Sequence, residues 1–372
     1  MKTLGIIFGN LHDKDIGELT AVRSIASVPF GGRFRLIDFV LSNMVNSGIT
    51  KVGIITKTNY QSLMDHVGSG KHWDLSRKNG GLIILPPYGA GDKSDMGLTK
   101  HRFDALKNIE RFIRHSDEEY VIASDCDNVC NMNFSDVIQS HIDNHADITI
   151  VVRKKDLVNH KPRTIVETDG TGRVTKVTNT ERESGEKLVF DNIFVMNRKF
   201  LLSILENSTE LGYNSFSKDV LVRGAKDYRI FAYTQTGYFA NIDSLSNYYK
   251  HSLELLNKEI RDELFYRDGA NIYTKVRDSA PCKIADSATV TNSLIADGCV
   301  IEGEVRNSIL FRGVKVAKGA KITDSIVFQD AVVGRNSSLH CVIADKLVTI
   351  LEGRTLSGHE THPYFIAKSA VI

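Results

Sequence analysis

Asp127 follows the β-branched run Tyr120–Ala123 and so stands at the carboxyl end of an expected strand, where α/β sheets place their ligands. A carboxylate there can hold a divalent cation. The first expected strand, Thr3–Phe8, also runs into a loop, Gly9-Asn-Leu-His-Asp-Lys14, which offers one glycine, one lysine and the negative charge of Asp13. By residue type alone an ordinary surface turn accounts for it. Lys100, His101 and Arg102 put three basic side chains side by side, able to attract an anion but equally explained as a solvated first helical turn. Asp243 lies two residues beyond Asn241, about 7 Å along a strand, and could add a second carboxylate. Near the end of the sequence, His340, His359 and His362 are candidate general bases for acyl transfer, or simply surface histidines. Cys126 and Cys130 have Cys-x3-Cys spacing without a second ligand pair, so plain thiols are expected rather than a metal centre.

The elements that must position these residues follow two different periods. Up to about residue 257, short apolar runs (Thr3–Phe8, Val52–Thr56, Leu82–Leu85, Tyr120–Ala123, Ile148–Val152) alternate with stretches of helical spacing (Leu36–Asn46, Phe103–Arg114, Phe134–Asn144). That alternation predicts an α/β domain with a mostly parallel sheet. Thr164–Thr178 reads as a hairpin around Asp169-Gly-Thr-Gly172, Ile193–Met196 as a strand, and Lys199–Asn207 and Ser244–Asn257 as helices. Residues 258–280 read as a linker. From 281 to 372 aliphatic residues recur six apart, as in Leu310/Val316/Ile322 and Val327/Val333/Leu339, which predicts a left-handed parallel β-helix of hexapeptide repeats. Its flat faces and open ends favour assembly, and removal of residues from about 281 onward is expected to leave a soluble α/β domain that no longer assembles.

Composition narrows the functional class. With 372 residues the chain is long enough for two or three domains, and Lys+Arg 47 against Asp+Glu 45 leaves a net charge of +2, too balanced for a general nucleic-acid binder. The only apolar run at the N-terminus is too short for a signal peptide or a membrane span. Five scattered cysteines then fit reduced thiols in a cytoplasmic protein.

Two long motifs carry a resemblance. Val28-Pro-Phe-Gly-Gly-Arg-Phe-Arg-Leu-Ile-Asp-Phe-Val-Leu-Ser-Asn43, and His72-Trp-Asp-Leu-Ser-Arg-Lys-Asn-Gly-Gly81 leading to Leu85-Pro-Pro-Tyr88, closely resemble signatures of the glucose-1-phosphate adenylyltransferases. The resemblance implies a Rossmann-like nucleotidyltransferase domain followed by the hexapeptide coil. It implies an activity that makes ADP-glucose and pyrophosphate from ATP and glucose 1-phosphate with Mg²⁺, for glycogen or starch synthesis. It also implies nucleotide contacts at Gly9, Asn10, Lys14, Asn79, Gly80 and Gly81, and metal at Asp127. Phosphorylated or carboxylated effectors would bind between the domains, with Arg23 and Arg35 matching two effector positions.

Several positions depart from the family pattern. Where its members carry Gly-Gly-x-Gly-x-Arg, this chain has Asn10 and His12 for two glycines and Lys14 for arginine. Ile25 replaces an active-site lysine, Lys100–Asp104 replaces a loop of small residues, and Asn241 replaces the second metal aspartate. Thr178–Glu183 stands in place of the sugar-phosphate lysine motif. Fold motifs kept and chemical residues altered is the pattern of a GlgD-type subunit, one that is weakly active or inactive, works with a catalytic partner and assembles as a homo- or hetero-tetramer. A rebuilt active site using Lys14, Asp127, Asp243 and the basic 100–102 loop is the alternative, and a hexapeptide-repeat acyltransferase another.

Overall fold

The computed structural model describes residues 2–86, 101–157, 163–180, 183–213 and 215–372. The strand Thr3–Phe8, wholly apolar apart from Thr3 and Gly5 and buried along its length, is the centre of the first domain. It pairs in parallel with Lys51–Ile55 on one side and Tyr120–Asp125 on the other, and Gly81–Leu85 adds outside Lys51–Ile55. Crossover helices, among them Leu36–Asn46, put nearly continuous apolar strands in the interior, as a parallel sheet requires. The sheet is mixed beyond that. Gly185–Asn197, a thirteen-residue strand of which only Ile193–Met196 is legible by pattern, runs antiparallel to Tyr120–Asp125 and to Ile148–Leu157. The expected hairpin is present as Arg163–Thr168 paired with Val174–Thr180.

Phe103–Arg114, expected as one helix, is two, Arg102–Asn108 and Glu110–Arg114, with the break at Ile109. Residues 258–280 are not a bare linker, because Lys258–Phe265 is helical. The ring of Phe265 stacks on Phe34 with centroids 4.8 Å apart, and Leu264 is fully buried. Among the described residues no helix is long and apolar enough to cross a membrane.

The C-terminal coil is three five-stranded sheets, each parallel throughout. Leu310, Val316, Ile322, Val327, Val333 and Leu339, the residues of the six-residue repeat, all point into it and are buried. Its corners need a left-handed backbone, and Asn307, Asp324 and Cys341 take it at successive levels of one edge. Asn and Asp tolerate that conformation because their short polar side chains bond locally. The two domains share one core. Phe311 and Phe328 of the coil lie edge to face with centroids 5.0 Å apart, and Phe328 meets Tyr248 of the first domain at 6.2 Å. Truncation at residue 281 would therefore strip buried aromatic surface from the first domain.

Candidate functional site

The carboxyl ends of Thr3–Phe8 and Tyr120–Asp125 open into a cavity of about 850 Å³ lined by His12, Asp15, Arg102, Asp127, Arg163, Lys218, Asn241 and Asp243, among others. Asp127 sits at the position the sequence indicates, just past its strand, 2% exposed. Asp125, the last residue of that strand, is fully buried beside it. His12, Asp125 and Asp127 bring one ligand atom each to within 4.8 Å of one another, a potential metal-binding triad. The pattern Asp-x-Asp at a strand end was the signal available for Asp125.

The donors around these carboxylates are not those of an open metal site. Arg102 donates from Nε to Asp125 Oδ1 at 2.9 Å and from Nη2 to Asp125 Oδ2. His12 places Nε2 2.8 Å from Asp125 Oδ2 and Nδ1 2.9 Å from Asp15 Oδ2. With a carboxylate oxygen at each ring nitrogen, the doubly protonated imidazolium satisfies both. Burial opposes that charge, but Asp127, Asp125 and Asp15 outweigh it and raise His12 to about 10. Burial likewise works against the Asp125 carboxylate, yet Arg102 and His12 hold it below its usual range. Burial and the neighbouring Asp125 push Asp127 upward, with His12 opposing. Asn241 donates from Nδ2 to Asp127 Oδ2 at 2.9 Å and to Asn128 Oδ1 at 3.0 Å, which leaves Asp127 Oδ1 buried without a partner.

Arg102 is thus not part of a solvated helical turn. It begins the helix Arg102–Asn108, whose Phe103 and Leu106 are buried, and its guanidinium turns inward because two buried carboxylates await a cation. Lys100 lies outside the described residues, as do Pro87 and Tyr88 of the second motif and Glu181 and Arg182 of the 178–183 segment.

The other sequence-indicated residues divide. Asn10 is buried, where its amide donates to Asp13 Oδ2 and its oxygen accepts from the Lys57 amide. Asp13 faces away from the cavity, accepting from the Ile25 amide at 2.8 Å. Gly9 makes a backbone bond to Ile55, and its absent Cβ would come within 2.9 Å of the Ile55 carbonyl oxygen. Lys14 is exposed and outside the cavity lining, and Ile25 is 1% exposed in the core. Asn79, Gly80 and Gly81 stand at the amino end of Gly81–Leu85, the opposite edge of the sheet from the cavity. Gly80 and Gly81 both have positive φ, and Gly81 is pressed against the Leu75 carbonyl, so their glycines serve a tight turn into the strand. Asp243 lines the cavity but accepts from Arg163 and from Asn247, and it is not among the triad. His340, His359 and His362 are exposed on the coil and are not among the residues that line the cavity. All five cysteines are free.

A second cavity, about 240 Å³, lies between the domains and is strongly basic, lined by Arg33, Arg35, Lys275, Arg277, Arg312, Lys346 and Lys368 with Asp330 as its acid. Arg35 is on its wall, bonded through Nη1 to Ser62. Arg23 is not; it is 2% exposed and clamps Asp345 of the coil with Nη2 2.9 Å from both carboxylate oxygens. Burial, and then the charges of Arg35, Arg23 and Arg277, depress the Lys346 ammonium to about 7.

Residues 16–258 match the nucleotidyl transferase family, and residues 280–362 the GlmU-like, C-terminal hexapeptide family. The glycogen biosynthesis protein GlgD of Bacillus subtilis is 35% identical over 369 residues, covering 99% of this chain and 96% of the relative. GlgD of Geobacillus stearothermophilus is 36% identical over 324 residues, 86% of this chain and 83% of the relative. Glucose-1-phosphate adenylyltransferase of Acetivibrio thermocellus is 32% identical over 339 residues, 89% and 78%.

Proposed function

Since the chain belongs to the glucose-1-phosphate adenylyltransferase family, alongside its GlgD-type members, we propose that it is a cytoplasmic, GlgD-like regulatory subunit of that enzyme in glycogen biosynthesis, weakly active or inactive alone. The observation that carries this reading is the state of the inherited centre. Asn241 turns an amide N–H toward Asp127, Asp125 is taken up by Arg102, and Ile25 is buried where the family has a lysine. Phosphoryl-type transfer depends on positioning and on charges placed for the transition state, with little covalent work for the protein. A chain short of those charges keeps its fold and its assembly surfaces and loses the rate.

Regulation then works through a catalytic partner in a mixed tetramer, by contacts whose energy differs between the partner's conformations. The basic cavity around Arg35 and Lys346 is where a phosphorylated or carboxylated effector would act. The test is ADP-glucose formation from ATP and glucose 1-phosphate with Mg²⁺. Each preorganised charge contact is worth about 2.7–4 kcal/mol, so the isolated chain should run at least about a thousandfold below a catalytic subunit. Asn241→Asp alone should not restore it. Co-expression with a catalytic subunit should yield one complex with altered kinetics. Robust turnover by the isolated chain, or separate elution with unchanged partner kinetics, refutes the reading.

A further inference from the structure

We propose that Arg102 is the resident counter-cation of the large cavity and keeps divalent metal off Asp125 and Asp127. This deepens the reading of a catalytically deficient subunit, on which it rests, by assigning the loss to a side chain that is present rather than only to those that are missing.

Two buried carboxylates two residues apart, Asp125 and Asp127, need positive charge, whereas the family's Mg²⁺ carboxylates match the positions of Asp127 and Asn241. Here the guanidinium of Arg102 meets that need from within the chain, with Nε on one oxygen of Asp125 and Nη2 on the other. Such a fork matches a carboxylate in shape, and arginine stays charged across the whole range in which a protein is folded. Mg²⁺ and Mn²⁺ ask for something else, an octahedron of oxygens at close to 2.1 Å. Asp125 Oδ2 already receives Arg102 and lies 2.8 Å from His12 Nε2. On the neighbouring carboxylate, the Asn241 amide is fixed with its nitrogen inward, since both groups it meets there, Asp127 Oδ2 and Asn128 Oδ1, are acceptors. One buried oxygen, Asp127 Oδ1, remains without a partner. A single such oxygen beside a fixed guanidinium does not fit a divalent ion. The backbone that carries Arg102 is held in place, because Phe103 and Leu106 of its helix are buried in the core.

The test uses the full-length chain and Mn²⁺ alone, with uptake read from the loss of the free-Mn²⁺ paramagnetic resonance signal. Wild type should take up no equivalent at the carboxylate pair. Arg102→Ala should take up one equivalent, at a Mn²⁺ concentration at least about tenfold below any at which wild type takes one up, and should gain thermal stability from Mn²⁺ that wild type does not. Adding Asp127→Asn should abolish that uptake. If Arg102→Ala does not fold, Arg102→Gln, whose amide can still donate to Asp125, supports the same comparison. Wild-type uptake that disappears in Asp127→Asn overturns the proposal, as does an Arg102 variant that binds no better than wild type. The two readings fail separately: turnover by the isolated wild type refutes the functional assignment, whereas Mn²⁺ uptake without turnover refutes only the role of Arg102.

Discussion

Replacing Asp345 by alanine should loosen the union of the two domains more than the loss of any surface ion pair. Arg23 and Asp345 are each 2% exposed and lie 322 residues apart in sequence, joined by two bonds of 2.9 Å. Without Asp345, its only charge partner among the described residues, Arg23 keeps there one long side-chain contact, 3.3 Å from Nη1 to the Leu19 carbonyl. Breaking a buried pair by removing one member commonly costs about 3–5 kcal/mol, because the remaining charge stays desolvated. Against a total stability of about 5–15 kcal/mol this is a large fraction. With a urea slope near 3 kcal/mol per molar, the midpoint should fall by about 1–2 M. Trp73 is the single tryptophan and is buried in the first domain, so its fluorescence reports that domain while far-UV circular dichroism reports both. Coincident transitions in wild type would establish a single cooperative unit. The double variant Arg23→Met/Asp345→Leu, apolar and of similar volume, should recover most of the loss. A shift below about 1 kcal/mol in Asp345→Ala, or a double variant no better than the single, would show that the pair is more hydrated than its burial indicates.

Phe328→Ala removes a fully buried ring that meets both Phe311 and Tyr248, and should cost about 3–5 kcal/mol by urea titration followed at Trp73, even though the change lies in the coil. Lys346, depressed to about 7 in the folded chain by burial and by Arg35, Arg23 and Arg277, keeps its proton above pH 7 only when unfolded. The unfolded state then binds more protons between about pH 7 and 10, so stability from this group rises with pH across that window, and Lys346→Met should flatten that slope. The same lysine makes inorganic sulfate, whose charge is constant, bind the basic cavity more tightly at about pH 6 than at about pH 8 by calorimetry. An equal sulfate affinity at both values would remove Lys346 from that site.

Local pattern was enough to read much of this protein. The β-branched run Thr3–Phe8, the helical spacing of Leu36–Asn46 and the six-residue aliphatic period each reflect one element burying one face, and such periods are written in consecutive residues. Asp127 was legible for the same reason, since a strand end is a local event. What the tertiary structure decided depends on charges brought together from distant segments. Arg102 reads as a solvated basic residue until Asp125, 23 positions on, needs its guanidinium. His12 looks like a turn residue until the sheet places it against that same carboxylate, and Arg23 looks like an effector contact until the coil returns Asp345 to it. Gly80 and Gly81, conversely, stand in a motif whose resemblance implies nucleotide contacts, and the strand direction puts them at the amino end of the sheet, away from the cavity. Burial makes a charge's partner decisive, and partners at such separations have no periodicity for a sequence to display.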